Sequence, residues 1–337
     1  MSTSPETVTR IGLLSTANIN REILAGAAGS NRVEVIAVGS RDRVKAESYA
    51  REHGLARAHG SYDELLADPD VDAVYVSLPN GMHHEWTMAA IAAGKHVLCE
   101  KPYTRVAAEV EQAFDAADTT GVVLMEAFMY RHHPQTLKVQ ELVAGGAVGR
   151  LCAVKTTFTF PLADLSDVRA LPDLDGGALM DVGCYCVSGI RALAGEPEHV
   201  RGEQVTGATG IDMAFHGTLR CANDVVGQFE ASFRSPKRQR LEVVGEDGVL
   251  TVEAPWRVDW DGSVTLARRG PGEEASSVEV IEVPAANAYQ LELENLADAI
   301  HGRAPQLLGR ADALGQARTI EALYLSAAEG RKVEPGR

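Results

Sequence analysis

The first 127 residues alternate short apolar runs with longer amphipathic stretches. The runs "VTRIGLLS" (8–15), "RVEVIAVGS" (32–40), "VDAVYVSLP" (71–79), "HVLC" (96–99) and "VVLMEA" (122–127) read as strands. Between them, helical spacing occurs over 18–28, "DRVKAESYAREHG" (42–54), the short "YDELLAD" (62–68), "HHEWTMAAIAAG" (83–94) and 105–120. The strands are continuously apolar rather than alternating. That pattern suits a parallel sheet covered by helices on both faces. Gly54 and Gly94 stand where a helix end wants a left-handed residue.

Beyond residue 150 the period changes. In "VVGQFEASFR", Val225, Gly227, Phe229, Ala231 and Phe233 take one face, and more polar residues take the other. "RLEVVGEDGVLTVEA" reads as a hairpin with Asp247-Gly248 at the turn. Further strands are expected at 151–160, 198–207, 211–221 and 264–284, with closing helices near 287–302 and 310–329. One helix, 177–194, interrupts this β pattern. The expected fold is α/β: a doubly wound parallel sheet of the Rossmann type over 1–127. An α+β domain with a large, mainly antiparallel open sheet follows over 128–337.

Composition narrows the function. The chain has 337 residues and a net charge of −15. That balance speaks against nucleic acid or an anionic membrane as partner, since both reward clustered Lys and Arg. "MSTSPETVTR" has no apolar signal core, and no apolar run approaches the ~20 residues of a membrane span. The expectation is a cytoplasmic protein. The five cysteines are odd in number and form no CxxC pair, so free thiols are expected, with neither a disulfide framework nor a metal site.

A doubly wound sheet binds its ligand at the carboxyl ends of its strands. The first such turn is Ser15-Thr16-Ala17-Asn18-Ile19-Asn20, where glycines would normally cradle a pyrophosphate. Ser15 and Ala17 are the smallest substitutes, and a plain structural turn explains the stretch equally well. The second strand ends Ser40-Arg41-Asp42. A hydroxyl followed by Arg suits a ribose 2′-phosphate and favours NADP(H), while Asp42 keeps NAD(H) possible; the bland alternative is Ser40 as a helix N-cap with solvated arginines. Leu78, Asn80 and His83 belong to the loop after the third major strand and are candidate cofactor contacts; a bare helix start fits them as well. Glu100 and Lys101 end the next strand, ahead of Pro102, whose preceding peptide is the kind that goes cis cheaply. Lys101 could lie between the nicotinamide ribose and a substrate hydroxyl, with Glu100 holding the ribose or partnering the lysine; a strand that simply ends in Glu-Lys-Pro on the surface explains the stretch as well.

In "GGALMDVGCYCVSGIRALAG" (176–195), Asp181 and Tyr185 are spaced i, i+4 on a mostly apolar helix. A phenol lowered in pKa by a nearby lysine exchanges protons well with a secondary alcohol and its ketone. Asp181 could accept from a substrate hydroxyl. The bland alternative is a capped helix end with a satisfied tyrosine hydroxyl. No tyrosine has Lys four residues later, so a Tyr-x-x-x-Lys dehydrogenase helix is absent.

Taken together, "GLLSTANI", "SLPNGMHHEWTMAAIAAGKHVLCEKP", "MEAFMYRHHP", "GGALMDVGCYC" and "LADAIHGRAP" resemble the glucose–fructose oxidoreductase / inositol dehydrogenase / rhizopine-catabolism (Gfo/Idh/MocA) family over nearly the whole chain. Tyr185 in place of the commoner His resembles the dihydrodiol dehydrogenase and sugar 3-ketoreductase branches. The resemblance implies Lys101, Asp181 and Tyr185 as catalytic residues, and Arg131 at the nicotinamide. It implies an NADP-dependent dehydrogenase or reductase acting on a secondary alcohol or ketone of a sugar, sugar derivative or cyclic diol. It also implies a homodimer or homotetramer formed through the second-domain sheet. The rival reading is a non-catalytic NADP-sensing regulatory protein on the same fold. Tightly retained cofactor cycling between two sugars is a variant of the first.

Overall fold

The computed structural model describes residues 7–257, 263–269 and 275–336. The chain forms two compact units: one of residues up to Met129 together with Asn287–Leu314, the other of Tyr130–Ala286 and Gly315 onward. The segment 287–314, grouped with the second half in the sequence reading, thus packs in the first unit.

The first unit runs β1 (Thr9–Leu14), α1 (Asn20–Ala28), β2 (Val33–Gly39), α2 (Arg43–His53), β3 (Arg57–His59), α3 (Tyr62–Leu66), β4 (Ala73–Val76), α4 (His83–Ala92), β5 (His96–Glu100), α5 (Ala107–Thr120) and β6 (Leu124–Ala127). The strands pair in parallel in the order β3-β2-β1-β4-β5-β6. This is the doubly wound order, with its switch point between β1 and β4. Leu13, Val74, Tyr75, Val76 and Val97 are fully buried, which is why these strands carry no polar alternation. Gly54 closes α2 at φ 69°, a conformation that costs a residue with a Cβ about 1 kcal/mol or more. The chain returns to this unit late. Helix α8 (Ala288–Ile300) starts on the Asn287 side chain, which accepts from the N–H of Tyr289 and Gln290, and packs on α1. Gly26 leaves room for that approach, since a Cβ there would meet the backbone of Gln290 at 2.8 Å.

The second unit runs α6 (Pro134–Ala144), β7 (Leu151–Thr159), α7 (Cys184–Ala194), β8 (Pro197–Thr206), β9 (Asp212–Cys221), β10 (Val226–Ser232), β11 (Arg238–Gly245), β12 (Gly248–Glu253), β13 (Val264–Arg269), β14 (Ala275–Ile281) and most of α9 (Arg310–Glu329). Its eight strands are ordered β14-β13-β12-β11-β7-β10-β9-β8. All neighbours are antiparallel except β7 and β10. The expected strand across 264–284 is two strands, with residues 270–274 outside the described residues.

The alternation read in β10 holds. Gly227, Phe229 and Ala231 are buried and Gln228 is exposed. The buried face meets α7, where a Cβ on Gly227 would press into Ile190. On the opposite face, Lys155, His216, Thr218 and Gln228 form an exposed polar surface. No helix among the described residues is long and apolar enough to cross a membrane.

The expected helix over 177–194 differs in its first turn. Residues Leu179–Gly183 form a π-helical turn before α7 begins at Cys184. A π turn accommodates an extra residue per turn and occurs often at functional sites.

Candidate active site

In the first unit, the turn after β1 lacks glycine yet keeps a glycine-like backbone. Ser15 has φ 152°, which L side chains rarely adopt. Its hydroxyl compensates: it bonds the Ser77 hydroxyl at 2.8 Å and accepts from the Ala17 N–H at 3.0 Å. Asn20 donates to the Ser15 carbonyl at 2.8 Å, which fixes the turn from the other side. Thr16, Ala17, Asn18 and Ile19 are the remaining residues of this turn before α1. Ile19 supplies no side-chain cap. The N–H groups of Asn20, Arg21 and Glu22 donate to the carbonyls of Ala17, Asn18 and Ile19, and the positive end of the α1 dipole at this turn suits an anionic phosphate.

At the end of β2, Ser40 is buried and its hydroxyl accepts from the Asp42 N–H at 3.2 Å. Arg41 is exposed, its guanidinium beside the Tyr62 hydroxyl. Asp42 is the N-cap of α2, accepting from the Lys45 N–H at 3.1 Å. That role commits its carboxylate to the helix, and leaves a hydroxyl and an arginine as the distinctive groups at this strand end. The combination fits a 2′-phosphate.

The loop after β4 and the end of β5 are tied together. Leu78 is buried, and Asn80 opens a short 3₁₀ turn. His83, expected to face a cofactor, is instead fully enclosed, with Nε2 2.8 Å from the Leu78 carbonyl and Nδ1 2.9 Å from the Pro102 carbonyl. Its physical role is to brace the loop. Lys101-Pro102 is a cis peptide. Glu100 accepts from the Tyr75 hydroxyl and, through Oε2, from the Lys101 N–H at 3.2 Å. Tyr75 is wholly buried, and burial with the Glu100 charge holds its phenol far above the usual range. It is therefore a steady donor to Glu100. Glu292 of α8 is also buried, with Oε1 unpartnered; burial and the Glu100 charge push its carboxyl up.

The second unit holds the other candidates. Arg131 is buried, and its guanidinium contacts the Ser188 hydroxyl at 3.3 Å, which also accepts from Tyr130 at 2.7 Å. Tyr185 is 7% exposed. Its ring lies in an aromatic cluster, with centroids 5.5 Å from Phe158, 5.8 Å from Tyr130 and 6.2 Å from Trp256. Packing of this kind fixes the ring plane. Gly189 makes space for the cluster, because a Cβ there would strike the Trp256 indole at 2.5 Å.

Asp181 is held by Arg169, whose Nε lies 3.0 Å from Oδ2. The same guanidinium reaches Asp167 at 3.2 Å. The sequence reading missed Arg169 because it lies in the irregular 161–175 segment. The signal available there was a lone arginine shortly before a double glycine. Among the described residues there is no group of three or more His, Cys, Asp or Glu that could hold a metal ion. The five cysteines are free thiols.

Two family patterns match the chain. "Oxidoreductase family, NAD-binding Rossmann fold" covers residues 9–128, and "GFO/IDH/MocA C-terminal domain" covers 136–251. The class is thus an oxidoreductase of dinucleotide-binding architecture. More particularly, the chain belongs to the Gfo/Idh/MocA family.

It is 38% identical over 325 residues to a D-xylose 1-dehydrogenase (NADP(+)) of Haloferax volcanii, covering 96% of this chain and 98% of that one. It is 42% identical over 248 residues to a dTDP-3,4-didehydro-2,6-dideoxy-alpha-D-glucose 3-reductase of Streptomyces violaceoruber, covering 72% of each. Among solved structures, a 3-ketoreductase from Actinomadura kijaniata in complex with NADP and TDP-benzene superposes with a TM-score of 0.88. That match has 28% identity and covers 95% of this chain and 98% of that one.

Proposed function

We propose that this protein is an NADP(H)-dependent dehydrogenase or reductase acting on a secondary alcohol or ketone of a sugar, sugar derivative or cyclic diol. The observation that carries the reading is the retention of both halves of an acid–base pair, Lys101 after β5 and Tyr185 at the start of α7. A regulatory protein on this fold needs neither. The NADP(+)-dependent and NADP-bound relatives support the cofactor choice, as does the commitment of Asp42 to a helix cap.

When bound, the nicotinamide supplies or accepts the hydride. The residues of the chain do the rest. Ser15 and the α1 start hold the pyrophosphate, with Thr16, Ala17, Asn18 and Ile19 as the surrounding backbone. Ser40 and Arg41 hold the 2′-phosphate. Leu78 and Asn80 line the nucleotide, Glu100 orients its ribose, and Arg131 borders the nicotinamide. Tyr185 gives its hydroxyl proton to a carbonyl oxygen in reduction, or takes one from the alcohol in oxidation. Lys101 stabilises the resulting phenolate and orients the substrate oxygen. Asp181, with Arg169, holds a neighbouring substrate hydroxyl.

The test is Tyr185→Phe. Turnover on the best substrate of a sugar and diol panel falls ~10²-fold or more, while NADPH binding, read by fluorescence, is unchanged. Near-normal turnover in that variant removes Tyr185 from the mechanism. Firm NADPH binding with no oxidation or reduction across the panel overturns the enzymatic reading.

A further inference from the structure

The π turn that carries Asp181 is preceded by a pair of glycines, Gly176 and Gly177, and both are pinned. The Gly177 N–H donates to the Arg169 carbonyl at 2.9 Å, and the Gly176 N–H donates to the Leu171 carbonyl at 3.1 Å. Neither glycine has room for a Cβ: at Gly176 it would overlap the Arg169 carbonyl, and at Gly177 the Asp212 carboxylate. Gly177 also has φ 132°.

Asp212 is the first residue of β9 and is 4% exposed. Its Oδ2 accepts from the Leu179 N–H at 2.7 Å, and the Ala178 N–H also bonds the carboxylate. Its Oδ1 accepts from the Tyr324 hydroxyl of α9 at 2.9 Å. The Tyr324 ring in turn packs edge-on against Phe215 of β9, centroids 5.6 Å apart. The first N–H groups of a helix have no partner within it. Here they are satisfied by a carboxylate more than thirty residues away in sequence, rather than by a local Ser, Thr or Asn.

We infer that Asp212 is a positioning residue for the reaction: anchored by Tyr324, its carboxylate sets the register of the π turn that presents Asp181 and leads into Tyr185 at the start of α7. The inference rests on the proposed roles of those two side chains. A carboxylate is a costly way to make a purely structural cap. Burial pushes Asp212 up to about 6, against the pull of its donors, so its charged form at neutral pH is a burden on the fold. An amide would spare that burden. It could not accept from Leu179, Ala178 and Tyr324 together, because one end of it is a donor.

Fold and function should therefore respond in opposite directions to Asp212→Asn. The expected result is a melting temperature equal to or above that of the wild type, with NADPH affinity unchanged. Amide hydrogen exchange over residues 178–183 rises by about tenfold, and kcat falls by about tenfold per NADPH-binding site. Tyr324→Phe, which leaves the carboxylate in place but removes one of its donors, raises exchange and lowers kcat by less, and lowers the melting temperature. Exchange and kcat both within twofold of wild type in Asp212→Asn overturn the inference. So does a kcat that falls only in proportion to lost folded protein.

Tyr185→Phe is the separate control. If it abolishes turnover while the Asp212 and Tyr324 variants behave as wild type, the positioning role alone fails. If Tyr185→Phe turns over normally while Asp212→Asn loosens the turn and slows kcat, the anchoring stands and the Tyr185 assignment falls.

Discussion

The imidazole of His83 stands between two carbonyl oxygens, that of Leu78 2.8 Å from Nε2 and that of Pro102 2.9 Å from Nδ1. It joins the loop after β4 to the Lys101-Pro102 turn, from the interior. A neutral imidazole has one N–H and can donate to only one of the two. Burial opposes the second proton, and the Lys101 charge adds to that, so the pKa of His83 is lowered despite both carbonyls. The sign follows: its contribution to stability is present above the unfolded value of about 6.5 and is lost as the pH falls below it. His83→Gln is expected to cost about 2–4 kcal/mol at pH 7.5 in urea unfolding, through lost packing and a lost buried hydrogen bond. The fall in stability between pH 7 and pH 5 becomes shallower in the variant than in wild type. An unchanged slope removes His83 from the acid response.

Arg169 holds Asp181 through Nε at 3.0 Å, and its side chain is 45% exposed. Half-exposed ion pairs contribute about 0–1 kcal/mol, so Arg169→Met leaves unfolding free energy nearly unchanged. Its effect lies in where Asp181 points. The expected outcome in steady-state kinetics is a fall of about tenfold in kcat/KM on the best substrate, with NADPH affinity intact. Equal kcat/KM in variant and wild type means that Asp181 is positioned without Arg169.

The two charged residues after β2 are separable. Asp42→Ala removes the α2 cap and costs about 1 kcal/mol of stability, while the preference for NADPH over NADH stays the same. Arg41→Ala leaves stability unchanged and weakens NADPH about tenfold, with little effect on NADH. Fluorescence titrations with both cofactors check the pair of outcomes. A loss of NADH affinity in Asp42→Ala would show instead that Asp42 holds a ribose.

Glu292 is a buried carboxyl with an unpartnered oxygen, near Glu100. Its pKa is raised, first by burial and then by the Glu100 charge. A raised carboxyl contributes stability at low pH that is lost as the pH rises toward its folded value. Glu292→Gln does not titrate. It should match the wild type near pH 4 and gain about 1–3 kcal/mol on it by pH 8, read from unfolding at a series of pH values. A constant difference across that range would mean that Glu292 does not change protonation on folding.

The layered architecture was legible because it is written locally. Short continuous apolar runs bounded by turn residues fit strands buried on both faces, and Val74, Tyr75 and Val76 are so. The period-two pattern of β10 identified a one-sided sheet, and Gly54 marked a helix end through its positive φ. Tyr185, Asp181 and Lys101 could be picked out because each is a chemically costly residue in an apolar or strand-end setting. The π turn at Leu179–Gly183 was not legible as such: its residues have ordinary helical spacing, and what widens the turn is not encoded within it. His83 was misread for the same kind of reason. Residue type alone cannot say whether an imidazole meets water or two carbonyls.

What the sequence determined by itself is therefore the order of elements and the faces they bury, which follow from periodicity over neighbouring residues; the candidate side chains came from residue chemistry and from the family resemblance. Tertiary structure alone decided which partner each polar group received: Arg169 for Asp181, Tyr75 for Glu100, Asp212 for the start of the turn ahead of α7. The physical reason is that a polar group withdrawn from water is stabilised by whatever partner the fold brings within about 3 Å. Here that is usually a residue from another element, whose approach no local pattern records.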